Sequence, residues 1–138
     1  MTKVRDEELI ELYMHLSVQS ILDMKDNYGE VSISKLRDMN RQSFESYPIK
    51  AENKILAVMF VFDADEVYNI VVPTGAHFAR NKEKCLEQIQ DKLIELKLEK
   101  DIHALVYRKS QQVYSMYVNI GFVPRNEKNG YKIMEYAR

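Results

Sequence analysis

The chain has 138 residues, 46% of them apolar, which is about one domain's length with enough hydrocarbon for a core. Its 20 Lys and Arg stand against 21 Asp and Glu for a formal charge of -1, so no excess positive field collects phosphate backbone or anionic lipid, and nucleic acid and membrane are disfavoured as partners. Four Gly and three Pro are too few for a linker-rich chain, and Cys85, the one cysteine, allows neither an internal disulfide nor a thiolate metal cluster and suits a reducing, cytoplasmic setting.

Over residues 7–25, Leu9, Leu12, Tyr13, Leu16, Ile21 and Met24 recur at three- and four-residue spacing, which predicts one amphipathic helix with Asp6 as its N-cap and a break at Gly29. Ser32 or Ser34 can cap a second helix carrying Leu36, Met39, Phe44 and Tyr47, ended by Pro48. Residues 54–62, β-branched and aromatic, then turn through Asp63, Ala64 and Asp65 into residues 67–72, which reads as a hairpin. The longest apolar run, residues 55–62, is less than half of the roughly 20 residues that cross a bilayer.

Cys85, Leu86, Ile89, Leu93 and Leu96 form one stripe of a helix over residues 81–98, with charged residues opposite. Residues 102–107 read as a strand buried on both faces, so that helix is a crossover onto a parallel neighbour. Ser110 caps a helix over residues 111–120 that Gly121 stops, and a last hairpin turns at Asn129 and Gly130. The order predicts an α+β fold with a mixed sheet and flanking helices. His15, His77 and His103 show no metal-ligand spacing.

Ser110-Gln-Gln-Val113-Tyr-Ser-Met116-Tyr117-Val-Asn-Ile-Gly121-Phe122 resembles the C-terminal signature of the GNAT superfamily of acyl-CoA-dependent N-acetyltransferases, N-x-x-A-x-x-L-Y-x-x-x-G-F. The spacings of Tyr, Gly and Phe match, and the strand, helix, strand, helix, hairpin order of residues 54–138 is similar to that fold, with residues 1–50 as its variable N-terminal helices in a single domain. The resemblance implies that acetyl-CoA lies where residues 67–72 and 102–107 splay apart, its thioester held by backbone N–H groups at Val71 and Val72. Its pyrophosphate would sit at the next helix start, with Arg80, Asn81, Lys82, Lys84, Cys85 and Ser110 as the neighbouring residues. Tyr117 would be the general acid and Glu66, or a water, the base, although Tyr117 also fits an apolar stripe with Val113 and Ile120 that packing alone explains.

The family pattern Q/R-x-x-G-x-G/A begins with Arg80 here, but Glu83 and Cys85 stand at the two small positions, so the glycine pyrophosphate loop is missing, and the family's first strand is reduced to residues 3–5 at most. A second, looser similarity is to GNAT-like internal virion proteins of podophages, in residues 72–85 and 110–122. Two functions follow as expectations. One is acetyl transfer to a small-molecule or protein amine. The other is a catalytically silent binding or virion-assembly component, with a protein partner and a virion location, its groove closed by Glu83 and filled by side chains.

Overall fold

In the computed structural model, which describes residues 2–107 and 110–138, six strands make one mixed sheet. Strands β1 (Glu45–Ala51), β2 (Lys54–Ala64), β3 (Val67–Val71), β4 (Asp101–Tyr107), β5 (Phe122–Lys128) and β6 (Tyr131–Tyr136) lie in the order β1-β2-β3-β4-β6-β5. The β3–β4 pair is parallel and its neighbours antiparallel, because helix α4 (Lys82–Lys97) crosses back over the sheet between them.

The N-terminal half departs from its sequence reading in two places. The expected helix over residues 7–25 is two helices, α1 (Asp6–Met14) and α2 (Val18–Tyr28), and Arg5 rather than Asp6 stands at the N-cap of α1. The break is tertiary in origin: Leu16 bridges to Gly75, and the Ser17 N–H donates to the Thr74 carbonyl at 2.9 Å. Ser17 then caps α2, its hydroxyl accepting from the Ser20 N–H at 3.1 Å. Second, Ser32 caps helix α3 (Ile33–Gln42), but the helix stops short of Phe44, and Tyr47 and Pro48 belong to β1. Pro48 cannot continue a helix, and an edge strand tolerates its missing N–H. The segment before α1 runs beside this strand, with the Ser46 N–H donating to the Thr2 carbonyl at 3.0 Å.

Each sheet face has its own core. On one, Cys85, Ile89, Leu93 and Leu96 of α4 and Met116, Tyr117 and Ile120 of helix α5 (Gln111–Asn119) and its C-cap cover Met59, Ile70, Ile102 and Met134. On the other, Leu9 and Leu12 of α1, Met24 of α2 and Leu36 and Met39 of α3 cover Val58 and Phe60. Most of β2 is therefore buried on both sides. In contrast, β4 alternates rather than being buried throughout: Ile102, Ala104 and Val106 are buried, while Leu105 is 54% exposed. The reason is an opening beside it.

Candidate active site

Strands β3 and β4 pair at Val67 with Asp101, Tyr68 with Ile102 and Asn69 with His103, and then separate. Beyond Asn69, β4 keeps its partner β6 as far as Tyr107 with Tyr131, while β3 stays with β2. The β2 register continues past the end of β3: Phe60 faces Val71, and Ala57 faces Thr74. The Val58 N–H donates to the Pro73 carbonyl at 3.2 Å and the Gly75 N–H to the Leu56 carbonyl at 2.7 Å. In an antiparallel ladder such bonds fall on alternate residues, so Val71, Pro73 and Gly75 turn their backbone polar groups to β2. Val72 turns its N–H the opposite way, into the gap that β4 has left.

The phenol of Tyr117 meets that amide. Tyr117 is 3% exposed, packs edge-on against Phe122 with ring centroids 5.0 Å apart, and lines the gap together with Val72. Burial pushes its acidity well below that of an ordinary phenol, Tyr28 and Asp23 push the same way, and the Val72 N–H, hydrogen-bonded to the phenol oxygen, partly opposes them. The gap opens into a cleft of about 460 Å³. Its walls come from α2 on one side and from α5 and the start of α4 on the other, with residues 73–76 as its rim. A smaller hollow of about 270 Å³, under α3, adjoins it through Tyr28, Ile70, Val71 and Leu105.

Two polar clusters hold these walls. Thr74 joins the hydroxyls of Ser17 and Ser20, each 2.9 Å from its Oγ1, while its N–H donates to Ser20 Oγ at 2.8 Å. Ser110 stands at the N-cap of α5, yet its hydroxyl does not cap that helix. It donates instead to Asp23 Oδ1 at 2.6 Å, joining α5 to α2 across the cleft. This replaces the capping role expected from the sequence. Asp23 is the carboxylate that lines the cleft, and together with Tyr28 it pushes against ionisation of Tyr117. The Tyr28 phenol is itself pushed up to about 12, first by loss of water and then by Asp23 and Tyr131.

The residues named from the sequence divide accordingly. Val71, Val72, Lys82 and Tyr117 line the cleft, and Ser110 touches it through Asp23. Arg80 and Lys84 are exposed beside the start of α4, and Asn81, at the N-cap, sends its side-chain N–H to the His77 carbonyl at 3.2 Å. The first turn of α4 thus has no side-chain cap, and its N–H groups stay available to an anion. Cys85 does not face that turn's ligand side; it is fully buried in the core, and burial raises its thiol to about 11. Glu83 is exposed and is not among the lining residues, so it does not close the groove.

Glu66 is exposed in the turn that begins β3, six residues before Val72, or about 20 Å at some 3.3 Å per strand residue. It is too far from the gap to act there. Asp23 and Tyr28 were missed because α2 reads as an ordinary amphipathic helix; no signal in the sequence says that α2 crosses the mouth of the split. Among the described residues, no cluster of three or more His, Cys, Asp and Glu could hold a metal, and no helix is long and apolar enough to cross a membrane.

The overall fold is shared with solved acetyltransferases. The chain is similar to the PaiA N-acetyltransferase from Thermoplasma acidophilum, solved in complex with coenzyme A, with a TM-score of 0.71 at 16% identity over 99% of this chain and 96% of that one. It is similar to the GNAT domain of PAT from S. lividans, with a TM-score of 0.76 at 11% identity over 98% of this chain and 86% of that one. For Ard1 from Thermoplasma volcanium the TM-score is 0.70 at 10% identity, over 99% and 96%. No family model and no curated protein sequence matches the chain. The mixed six-stranded sheet with its flanking helices is the GNAT acyl-CoA N-acyltransferase fold.

Proposed function

We propose that the protein binds acyl-CoA in the cleft and transfers the acyl group to an amine. One observation carries this reading: the outward-turned N–H of Val72 and the phenol of Tyr117 converge where β3 and β4 part, at the floor of an open cleft of about 460 Å³. The residues present suit an acyl-CoA, since one end of the cleft offers a backbone donor and a neutral phenol and the other offers Lys82 and an uncapped helix start. Acyl-CoA supplies an activated carbonyl whose C–S bond breaks as the amine's C–N bond forms.

When the thioester enters, its carbonyl oxygen takes the Val72 N–H from the phenol oxygen, and that donor then stabilises the negative charge that develops there. Tyr117, kept protonated by its burial, holds the proton that the departing thiolate requires. The proton lost by the amine returns to the phenol oxygen, directly or through water, so the balance is one amine consumed and one thiol released. Asp23, held by Ser110, attracts an ammonium group and takes the place that the sequence suggested for Glu66, receiving directly or through water the proton that leaves before attack.

The silent binding or assembly alternative required a filled groove. The openness of the cleft favours the ligand-binding reading over it. Thermal unfolding with acetyl-CoA tests the choice. At about one hundred times the dissociation constant the ligand contributes about 2.7 kcal/mol, a rise of several degrees in midpoint. No rise at millimolar acetyl-CoA would reject acyl-CoA binding.

A further inference from the structure

The hollow under α3 carries chemistry that the acyl-CoA reading leaves unused. Its walls are Met39, Phe62 and Leu105, with Asn69 and Gln42 as polar groups and Lys35 at the side. Lys35 is half-buried and lies 6.0 Å from the centre of the Tyr28 ring. Among the described residues it forms no ion pair, unlike Lys50, Lys97 and Lys100, which pair with Glu8, Asp101 and Asp63. Tyr28 also lines the larger cleft together with Asp23, whose charge acts on the Tyr28 phenol. The two hollows, which share Tyr28, Ile70, Val71 and Leu105, thus carry Asp23 in the one and, in the other, a lysine with no ion pair among the described residues.

We propose that this hollow is the acceptor site and that it takes an amphoteric amine: an amino group at one end of an apolar body and a carboxylate at the other. The proposal rests on the acyl-transfer reading for its chemistry, but the pocket's selectivity follows from its own charges. The ammonium end lies toward Asp23 and Tyr117, where the transfer occurs, and the carboxylate pairs with Lys35. Because Asp23 lines the larger cleft and Lys35 the adjoining hollow, a chain with its charges far apart fits better than a simple α-amino acid. At about 270 Å³ the hollow lies below the roughly 300–1,000 Å³ of drug-sized sites, so the acceptor is small. A polyamine would set a second cation against Lys35, which like-charge repulsion disfavours.

Three amines with the same six-carbon body separate the possibilities: ε-aminocaproate with an anionic tail, hexylamine with a neutral one, and hexamethylenediamine with a cationic one. With acetyl-CoA and the whole protein, kcat/KM for ε-aminocaproate is expected to exceed that for hexylamine by at least about tenfold, the worth of one charge-assisted hydrogen bond, with the diamine lowest. Lys35→Ala should erase that preference, mainly through KM, and Lys35→Glu should move it toward the diamine. Equal rates for the three amines, or a preference that survives Lys35→Ala, would overturn the assignment. Calorimetric titration of the product ε-acetamidocaproate into the protein without CoA gives an independent reading. Saturable binding weakened at least about tenfold by Lys35→Ala supports the site even if acetyl-CoA does not bind, whereas Lys35-independent binding or none counts against it.

Discussion

Tyr117 shows how one side chain satisfies packing and chemistry together. Its position between Val113 and Ile120 places it on the buried stripe of α5, and the same burial keeps its hydroxyl protonated while the Val72 N–H reaches the oxygen. Tyr117→Phe keeps the ring and removes the proton; acetyl transfer, followed by thiol release, is expected to fall at least about tenfold while acetyl-CoA still raises the unfolding midpoint. An undiminished rate would take the acid role from Tyr117. Cys85 offers a test that is purely structural. Its thiol ordinarily ionises near 9 and in the fold near 11, since burial disfavours the thiolate. Between those values the unfolded chain has released the proton and the folded chain has not, so this contribution to stability is intact below pH 9 and is lost as pH rises to about 11. Cys85→Ala should therefore flatten the decline in urea-unfolding stability over that interval relative to the parent protein.

At the level of elements, the cleft depends on cross-links between helices that share no strand. The Ser110 hydroxyl on the Asp23 carboxylate holds α5 to α2, and Thr74 with Ser17 and Ser20 holds α2 to the chain leaving β3. Ser110→Ala leaves a half-buried acceptor short of one donor, which costs up to about 1.5–3 kcal/mol for a bond to a charged group. A fall of several degrees in the thermal midpoint with weakened acetyl-CoA binding is expected, and a variant with unchanged midpoint would show that the tie does not hold the wall. The pattern of apolar residues marked α4, α5 and both hairpins correctly because their periodicities are uninterrupted. It erred at residues 15–17 and 44–48 because there the local spacing suits a helix while the backbone is committed elsewhere, to Thr74 and Gly75 in one case and to β2 in the other.

For the molecule as a whole, two cores on opposite faces of one sheet press the strands together everywhere except past Asn69, where β3 and β4 follow different partners. Leu93, fully buried on the inner face of α4, belongs to the larger core, and Leu93→Ala is expected to cost about 2–5 kcal/mol in denaturant unfolding without altering acetyl-transfer activity per folded molecule. A loss below about 0.5 kcal/mol would show that α4 is not packed as described. The run from Ser110 to Phe122 and the crossover helix were enough to identify the fold, because a strand, helix, strand unit and a Tyr, Gly, Phe spacing are properties of contiguous chain. So were Tyr117 and the backbone at Val72 as candidates. The wall opposite them was not legible: Asp23, Tyr28 and Lys35 meet the split only after α2 and α3 dock on a sheet face built from residues far along the chain. Local periodicity records what each segment buries, and it carries no information about which segments face one another across a gap; that pairing arises when the two cores form.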